Sequence, residues 1–326
     1  MQAYIIRRLI LMIPTIFLIT VFVFATIRFI PGSVIDLMVA EMAEESGLGA
    51  ELTAEYLREE LGLDQPFIVQ YGKWLGVIEP FSGVVQGNLG RSLWTNRIVL
   101  EEIVNRLPIS MELGFIALLT GILISLPVGI YSAIRQDTRG DYIGRSIAIL
   151  GISLPTFWVG TMVIVYPSIW WGWSPELQYI PFLKNPIGNL GQFLLPGMIQ
   201  GMHLTGTVMR MTRTMMLEVL RQDYIRTAWA KGLKERTVVY RHALKNALIP
   251  VVSEIGVLVT FLIAGTVVIE QIFVLPGAGL LLIEALNKRD YPIISGVNLV
   301  LAFMVLFLNL IIDLSYGWFD PRVTFK

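Results

Sequence analysis

The fold of this chain can be argued from residues 210–250, which read RMTRTMMLEVLRQDYIRTAWAKGLKERTVVYRHALKNALIP. The segment is basic and helix-prone, and it holds nine of the 25 lysine and arginine residues. A short helix is predicted over residues 224–231, directly after Asp223. Gly232 then permits a turn that residues with a side chain resist. A second helix is predicted over residues 235–248, and it leads into an apolar region at Pro250.

Long apolar runs lie on both sides of this basic segment. Of the 326 residues, 55% are hydrophobic and 15% are charged, and the mean hydropathy is +0.67. Soluble domains carry about 25% charged residues, so lipid is the expected solvent for much of the chain. A membrane-crossing helix needs roughly 20 apolar residues, and six runs approach that length. They cover residues 9–30, 113–134, 147–166, 193–209, 248–269 and 293–312.

The predicted fold class is an all-α integral membrane protein with six transmembrane helices. Residues 1–30 are expected to form the N-terminus and the first transmembrane helix. Residues 31–108 are expected to form a sizeable extracytoplasmic segment, and residues 109–326 the core with the other five helices. Within that core, the loop 210–250 connects transmembrane helices 4 and 5.

Four of the apolar runs carry additional information. The first run is longer than the 7–15 apolar residues of a signal peptide, so it is interpreted as a retained helix. The fourth run contains glycine, threonine and His203, and a span this polar is expected inside a helix bundle. Pro127 and Pro155 are expected to kink the second and third helices.

The distribution of basic residues predicts the orientation in the membrane. With six helices both termini lie on one side, and that side collects 16 of the 25 lysine and arginine residues. Because basic residues accumulate in cytoplasmic loops, both termini are predicted to be cytoplasmic. Residues 31–108 carry 12 acidic and 5 basic residues, as expected of the opposite side. Within them, a short helix is predicted over residues 53–61 and a turn or short strand over residues 82–92, while the acidic stretch 41–60 has no assigned role.

The segment 210–250 has the features of a coupling device. Small residues at Ala228 and Ala230 allow a short helix to approach a groove on a soluble partner, and Gly232 sets the angle of the elbow. Such a helix would pass rigid-body motion from a soluble engine to the membrane helices. The alternative is a basic surface helix that rests on anionic lipid, which leaves the alanine and glycine pattern without a purpose.

Further blocks of sequence occur in an order that points to a family. They are YIIRRL at 4–9, ELGLDQP at 60–66, GNLGRS at 87–92, EQIF at 270–273, PGAG at 276–279, RDYP at 289–292 and DPR at 320–322. Over essentially its whole length the chain resembles the permease subunits of ABC importers, specifically the B-type subunit of dipeptide and oligopeptide permeases. Residues 213–250 resemble the EAA loop of that family, although Arg226 replaces the glutamate of the loop's name. Trp229 stands where the peptide branch often has arginine.

The resemblance implies a permease half of an ATP-driven importer of di- or oligopeptides in the prokaryotic plasma (inner) membrane. Its implied partners are a second, C-type permease subunit, two ATP-binding subunits and an extracytoplasmic substrate-binding protein. The chain lacks the phosphate-binding motif GxxxxGK[ST], so it is not expected to be an enzyme or to hold a cofactor, and ATP and Mg belong to the partner subunits. Related systems import oligosaccharides, nickel, glutathione or opines, and these are the alternative cargoes.

Two sets of candidate site residues follow. The resemblance assigns the ATPase-coupling loop to Asp223, Tyr224, Arg226, Thr227, Ala228, Ala230, Lys231, Gly232 and Leu233. Polar residues within the predicted spans are expected to line the translocation path or to contact another subunit, because such groups are expensive in lipid; they are His203, Glu254 and Asn298. No metal site and no nucleic-acid partner are expected, because the chain has no cysteine, two histidines and zero net charge.

Three other classes of protein fit the sequence less well. A secondary transporter usually carries an internal repeat, which this sequence lacks, and it leaves residues 210–250 unexplained. An intramembrane enzyme needs a nucleophile with a base, or a metal site, and neither HExxH nor GxSxG occurs. A scaffold protein is compatible with the composition but not with the ordered family blocks.

Overall fold

The protein is described here by a computed structural model that covers residues 2–29, 64–79 and 81–319. These residues form helices and turns, with a single isolated bridge between Arg91 and Ile98 in place of strands. The helices are α1 (Gln2–Phe29), α2 (Phe67–Leu75), α3 (Val99–Ile134), α4 (Arg139–Ser153), α5 (Thr156–Trp171), α6 (Pro186–Gln200), α7 (Met202–Leu220), α8 (Asp223–Ala230), α9 (Leu244–Phe273), α10 (Ala278–Lys288) and α11 (Tyr291–Phe319). The all-α prediction is confirmed. The predicted helix 53–61 and the acidic stretch 41–60 lie outside the described residues.

Four helical segments of the described chain are long and apolar enough to cross a membrane. They are Ile6–Thr26, Val99–Ile134, Glu235–Phe273 and Tyr291–Ile312. These segments contain or largely overlap the first, second, fifth and sixth predicted spans. Helix α3 continues without interruption past Pro127.

The prediction of one helix over residues 147–166 is wrong. Helices α4 and α5 together are apolar enough to span a membrane, but they meet at an angle of 99°. Leu154 and Pro155 between them have extended backbone conformations, with ψ of 129° and 131°. Proline has no N–H to donate and disfavours the helical conformation of the residue before it. The expected kink at Pro155 is therefore a complete break.

The fourth predicted run, residues 193–209, is divided between two helices. Helix α6 ends at Gln200 and α7 begins at Met202, with Gly201 between them. Backbone hydrogen bonds from Gly201 to Gly197 and from Thr205 to Gly201, both 2.8 Å, carry the ladder across the junction. Neither helix passes as a membrane span by its own length and apolarity. The count of six transmembrane helices therefore stays a prediction.

The chain divides into two compact units. Among the described residues, the larger comprises 2–6, Ile109–Gly279 and 305–319, and the smaller comprises 7–29, 64–79, 81–108 and Leu280–Met304. In the larger unit, α7 packs along both α4 and α9. Glycine permits the close approach, because a Cβ at Gly206 of α7 would lie 2.5 Å from the carbonyl oxygen of Ala148 in α4.

The smaller unit is held by aromatic and polar contacts. The ring of Phe24 in α1 lies 5.2–5.5 Å from those of Phe67, Tyr71 and Trp74. The Ser92 hydroxyl donates to the buried carboxylate of Asp290 at 2.5 Å. The predicted turn region 82–92 contains one turn of 3₁₀ helix, Val84–Gln86.

Candidate functional site

Helix α8 is the centre of the predicted coupling loop. It begins after Gln222, whose backbone is extended, and it covers Asp223–Ala230, within one residue of the predicted bounds. Gly232 has a φ of +74°, a left-handed conformation that glycine adopts without strain. The backbone amide of Gly232 donates to the carbonyl oxygen of Trp229 at 2.9 Å, and that of Leu233 donates to the carbonyl oxygen of Ala228 at 3.4 Å. These two bonds are the hydrogen-bond pattern of a Schellman motif. The predicted helix and elbow are confirmed.

One face of α8 is buried in a cluster of apolar side chains that we call the coupling core. Ile225 is fully buried and Ala228 is 7% exposed. The other buried members come from the ends of α3 and α7 and from the segment that follows the elbow. They are Ile130, Ala133, Met216, Val238, Val239, Ala243 and Ala247. Leu233 packs against the cluster from the far side of the elbow.

The opposite face of α8 is exposed. It presents Arg226, Thr227, Trp229 and Ala230, followed by Lys231. Asp223 is also exposed, and its carboxylate lies 3.3 Å from Nη1 of Arg226. The interpretation that both alanines face a partner can therefore apply to Ala230 only. Ala228 allows α8 to approach its own core, whereas Ala230 lies on the exposed face.

Tyr224 fastens α8 to the segment that returns to the apolar region. Its hydroxyl accepts a hydrogen bond from Nδ2 of Asn246 at 2.8 Å and donates to the carbonyl oxygen of His242 at 3.4 Å. Both partners lie beyond the elbow, about 20 residues along the chain. The hydroxyl therefore links α8 directly to the start of α9.

The segment after the elbow is continuous with a membrane-length helix. One α-helical turn, Glu235–Thr237, passes into a π-helical stretch, Val238–Ala243, and then into α9. The helix predicted over residues 235–248 is therefore longer than expected, and Pro250 lies inside α9 rather than at its start. A π-helical turn inserts an extra residue into a helix and is frequent at functional sites. Here its buried residues Val238, Val239 and Ala243 supply one third of the coupling core.

A buried ion pair anchors α7 to α4 close to the coupling core. Nε and Nη2 of Arg213 each lie 2.8 Å from an oxygen of Asp141, a bidentate arrangement. The Asp141 side chain is fully buried, and Nε of Arg145 lies 3.5 Å from the same carboxylate. The hydrogen bonds to Asp141 raise the pKa of Arg213. Asp141 is not among the residues predicted from the sequence, because its partner lies 72 residues away and no local pattern marks it.

A groove runs along one face of three helices in the larger unit. The residues that line it include positions that recur at helical spacing: 145, 149 and 152 on α4, 203, 207, 210 and 214 on α7, and 254, 258, 261 and 265 on α9. Two cavities, of about 390 Å³ and 480 Å³, follow one another along it. His203 lines the first cavity and Glu254 lines the second. The structure thus places these two predicted polar residues in the same groove.

Asn298 does not belong to this groove. It lies in the smaller unit, and its Nδ2 donates to the carbonyl oxygen of Ile294 at 2.9 Å. A bond one turn back along the same helix satisfies the amide locally. Arg145 and Arg210, in contrast, line the groove. In the sequence they counted only among the basic residues that predict the cytoplasmic side. Their spacing from Ile149 and His203 is the sequence signal that could have found them.

The described residues contain no group of three histidine, cysteine, aspartate or glutamate side chains that could hold a metal ion. The site offers a surface helix fixed to its own core and a groove in which polar and charged side chains lie among apolar ones. Such an arrangement can transmit force and bind a polar solute.

Comparison with known proteins agrees with this architecture. A family model described as "Binding-protein-dependent transport system inner membrane component" matches residues 125–325, and the model of its N-terminal region matches residues 1–114. A putative peptide transport system permease protein of Brucella abortus is 38% identical over 325 residues, which is all of both chains. The dipeptide transport system permease protein DppB of Escherichia coli K12 is 38% identical, again over the full length of both.

A solved structure extends the comparison to the fold. The crystal structure of an amino acid ABC transporter with histidines matches with a TM-score of 0.51 and 12% identity. The match covers 67% of this chain and 94% of that one. With the helices, the family models and the full-length relatives together, this chain belongs to the inner-membrane components of binding-protein-dependent transport systems, the multi-pass, non-catalytic permease subunits of ABC importers.

Proposed function

We propose that this permease imports di- or oligopeptides. The full-length relatives named as peptide and dipeptide permeases support this cargo. Oligosaccharides, nickel, glutathione and opines are the alternative cargoes within the same machinery. The proposed assembly contains a second permease subunit, two ATP-binding subunits that carry ATP and Mg, and an extracytoplasmic substrate-binding protein.

Helix α8 is the proposed contact with an ATP-binding subunit. The observation that carries this proposal is the mechanical path from α8 into the membrane. The buried face of α8, the Schellman turn and the Tyr224 hydroxyl fix it to a segment that continues unbroken into α9. A displacement of α8 must therefore move the cytoplasmic end of α9 with it.

The exposed face of α8 supports the same assignment. Arg226 and Trp229 are exposed and belong to residue types that are enriched at protein interfaces, and Ala230 beside them leaves room for a partner's side chains. In this proposal, closure of the ATP-binding subunits moves α8, and the larger unit changes between inward-facing and outward-facing states as a rigid body. Binding-protein docking then delivers cargo to the outward-facing state.

The proposed topology places both termini and α8 in the cytoplasm and residues 31–108 on the outer side. The groove with His203 and Glu254 is the proposed contribution of this chain to the translocation path. The groove runs towards the cytoplasmic end of α7, where the chain enters α8. Cargo released from its lower end would leave close to the coupling core.

Cysteine cross-linking tests the coupling assignment directly, because the chain has no cysteine of its own. Trp229→Cys in the purified complex is treated with a maleimide–succinimidyl ester reagent that links it to nearby lysines. Adducts with an ATP-binding subunit are expected, and their yield should change when ATP is added. Lys184→Cys, an exposed position predicted on the outer side, is the control and should give none. An intact complex in which Trp229→Cys forms no such adduct would favour a helix that rests on lipid.

A further inference from the structure

The second cavity of the groove, the one that Glu254 lines, has an unusual set of charges. Its volume is about 480 Å³, within the range of roughly 300–1,000 Å³ that small-molecule sites occupy. Three guanidinium groups and one carboxylate line it, from Arg145, Arg210, Arg213 and Glu254. The remaining lining residues are Ile149, Thr207, Met209, Met211 and Thr214.

The charges of the cavity are only partly neutralised. Arg213 is committed to Asp141 by two bonds of 2.8 Å, and Arg145 shares that carboxylate at 3.5 Å. Within the part of the chain that the structure describes, the side chains of Arg210 and Glu254 make neither an ion pair nor a hydrogen bond. The cavity thus contains one unpaired cation and one unpaired anion. Each is held on a rigid helix.

The position of the Glu254 carboxylate, without a counter-ion in an apolar helix, calls for a physical explanation. It lies on α9, within a segment apolar enough to cross a membrane, and it is only partly exposed. Ionisable groups in such segments are costly and mark substrate or ion pathways. Arg210 would be its natural partner, and yet the two groups remain apart across an open cavity. A solute that carries both charges would pair with both residues at once.

We propose that this cavity binds the charged termini of a zwitterionic cargo. Arg210, assisted by Arg145, takes a carboxylate, and Glu254 takes an ammonium group. Arg213 is a positioning residue, because its bonds to Asp141 fix α7 against α4 and so set the width of the cavity. This inference rests on the proposed function of the groove as part of the translocation path.

The charge pattern also selects among the candidate cargoes. A free peptide, glutathione and an opine each carry carboxylate and ammonium or secondary ammonium groups. A neutral oligosaccharide offers neither charge, so it would form no ion pair with Arg210 or Glu254 and would lose the binding free energy of both charge-assisted contacts. A free nickel ion carries no anionic group that Arg210 could bind, and Glu254 would be its one carboxylate partner among the lining residues. The cavity therefore fits cargoes with charged ends.

Direct binding to the complete complex tests the proposal without interference from the substrate-binding protein. The nucleotide-free complex of permeases and ATP-binding subunits is placed in lipid nanodiscs, and the binding of radiolabelled dialanine is measured. Dialanine amide and N-acetyl-dialanine, which each lack one charge, are the competitors. Loss of one charge-assisted hydrogen-bonded contact should weaken binding roughly tenfold or more.

The variants give an asymmetric expectation. Arg210→Gln should abolish the preference for dialanine over its amide and keep the preference over the N-acetyl form. Glu254→Gln should abolish the preference for dialanine over the N-acetyl form and keep the preference over the amide. Arg210→Lys, which retains the positive charge, should recover part of the preference over the amide. Arg139→Gln, an exposed arginine on the same helix as Arg145 and outside the cavity lining, is the control and should change neither.

Two outcomes would overturn the proposal. One is a wild-type complex that binds the three compounds equally or not at all. The other is an Arg210→Gln or Glu254→Gln complex with unchanged preferences, which would assign these charges to pairing with each other or with the second permease. Stimulation of ATP hydrolysis by the binding protein, measured on the same wild-type complex, reports separately whether the importer assignment holds.

Discussion

At Gly232 the backbone conformation, not the available space, restricts the residue type. The φ of +74° disfavours any side chain, while a Cβ built there meets no atom within 4 Å. Gly232→Ala should therefore cost about 1–2 kcal/mol of backbone strain, and the strain should displace α8 on the coupling core. Substrate uptake by the reconstituted complex is expected to fall severalfold, while ATP hydrolysis and the amount of inserted protein are kept.

Gly191→Ala is the matched control for that change. Gly191 lies in helix α6, its Cβ would also meet open space, and its φ is not positive. Uptake should be unaffected, since alanine is the better helix former. Equal uptake by the two variants would show that the left-handed turn has no role in coupling.

A second prediction at the residue scale concerns Asp141. Asp141→Asn removes the negative charge that two arginines share and leaves the guanidinium of Arg213, 15% exposed, without its counter-ion. Breaking a buried pair in this way costs about 3–5 kcal/mol. The purified complex should aggregate at a clearly lower temperature, measured by fluorescence-detected size-exclusion chromatography after heating. The double variant Asp141→Asn with Arg213→Gln should recover part of the loss, and a double variant no better than the single one would contradict the ion-pair argument.

At the scale of elements, α8 is stable only because it packs on the coupling core. An eight-residue helix is too short to persist alone in water, and Ile225 is its one fully buried large side chain. Ile225→Ala should cost about 2–5 kcal/mol locally, which is enough to release α8. ATP-driven uptake should be lost while the complex still assembles. Ile225→Val, at about 0.5–1.5 kcal/mol, should retain most of the uptake, and similar losses in both variants would speak against packing as the cause.

The elements also show how far the sequence could predict this fold. The bounds of α8 and the turn at Gly232 were predictable, because helix-forming residues and glycine act locally. The inward face of Ala228 was not, since it depends on where α3, α7 and α9 lie. Pro155 was recognised as a kink site, but the 99° angle depends on packing around the break. The pairing of Asp141 with Arg213 joins residues far apart in sequence, and a single sequence contains no signal for it.

At the scale of the whole molecule, the bent pair α4–α5 determines how many times the chain crosses the membrane. The pair can cross the membrane as a broken span or return to the same side as a re-entrant loop. If it crosses, Arg139 and Lys184 lie on opposite sides, and the following polar run 193–209 must bring the chain back to place Arg226 in the cytoplasm. All three side chains are exposed, and the chain offers no background cysteine.

Labelling with a membrane-impermeant maleimide distinguishes the two topologies. Lys184→Cys should react in intact spheroplasts, whereas Arg139→Cys and Arg226→Cys should react only after the membrane is permeabilised. This pattern requires two crossings between residues 139 and 226, and with the four long apolar segments it gives six spans. Protection of Lys184→Cys in intact spheroplasts would make α4–α5 re-entrant and reduce the count to four. In that case α6 and α7 would not cross either, because residues 139, 184 and 226 would all lie on the cytoplasmic side.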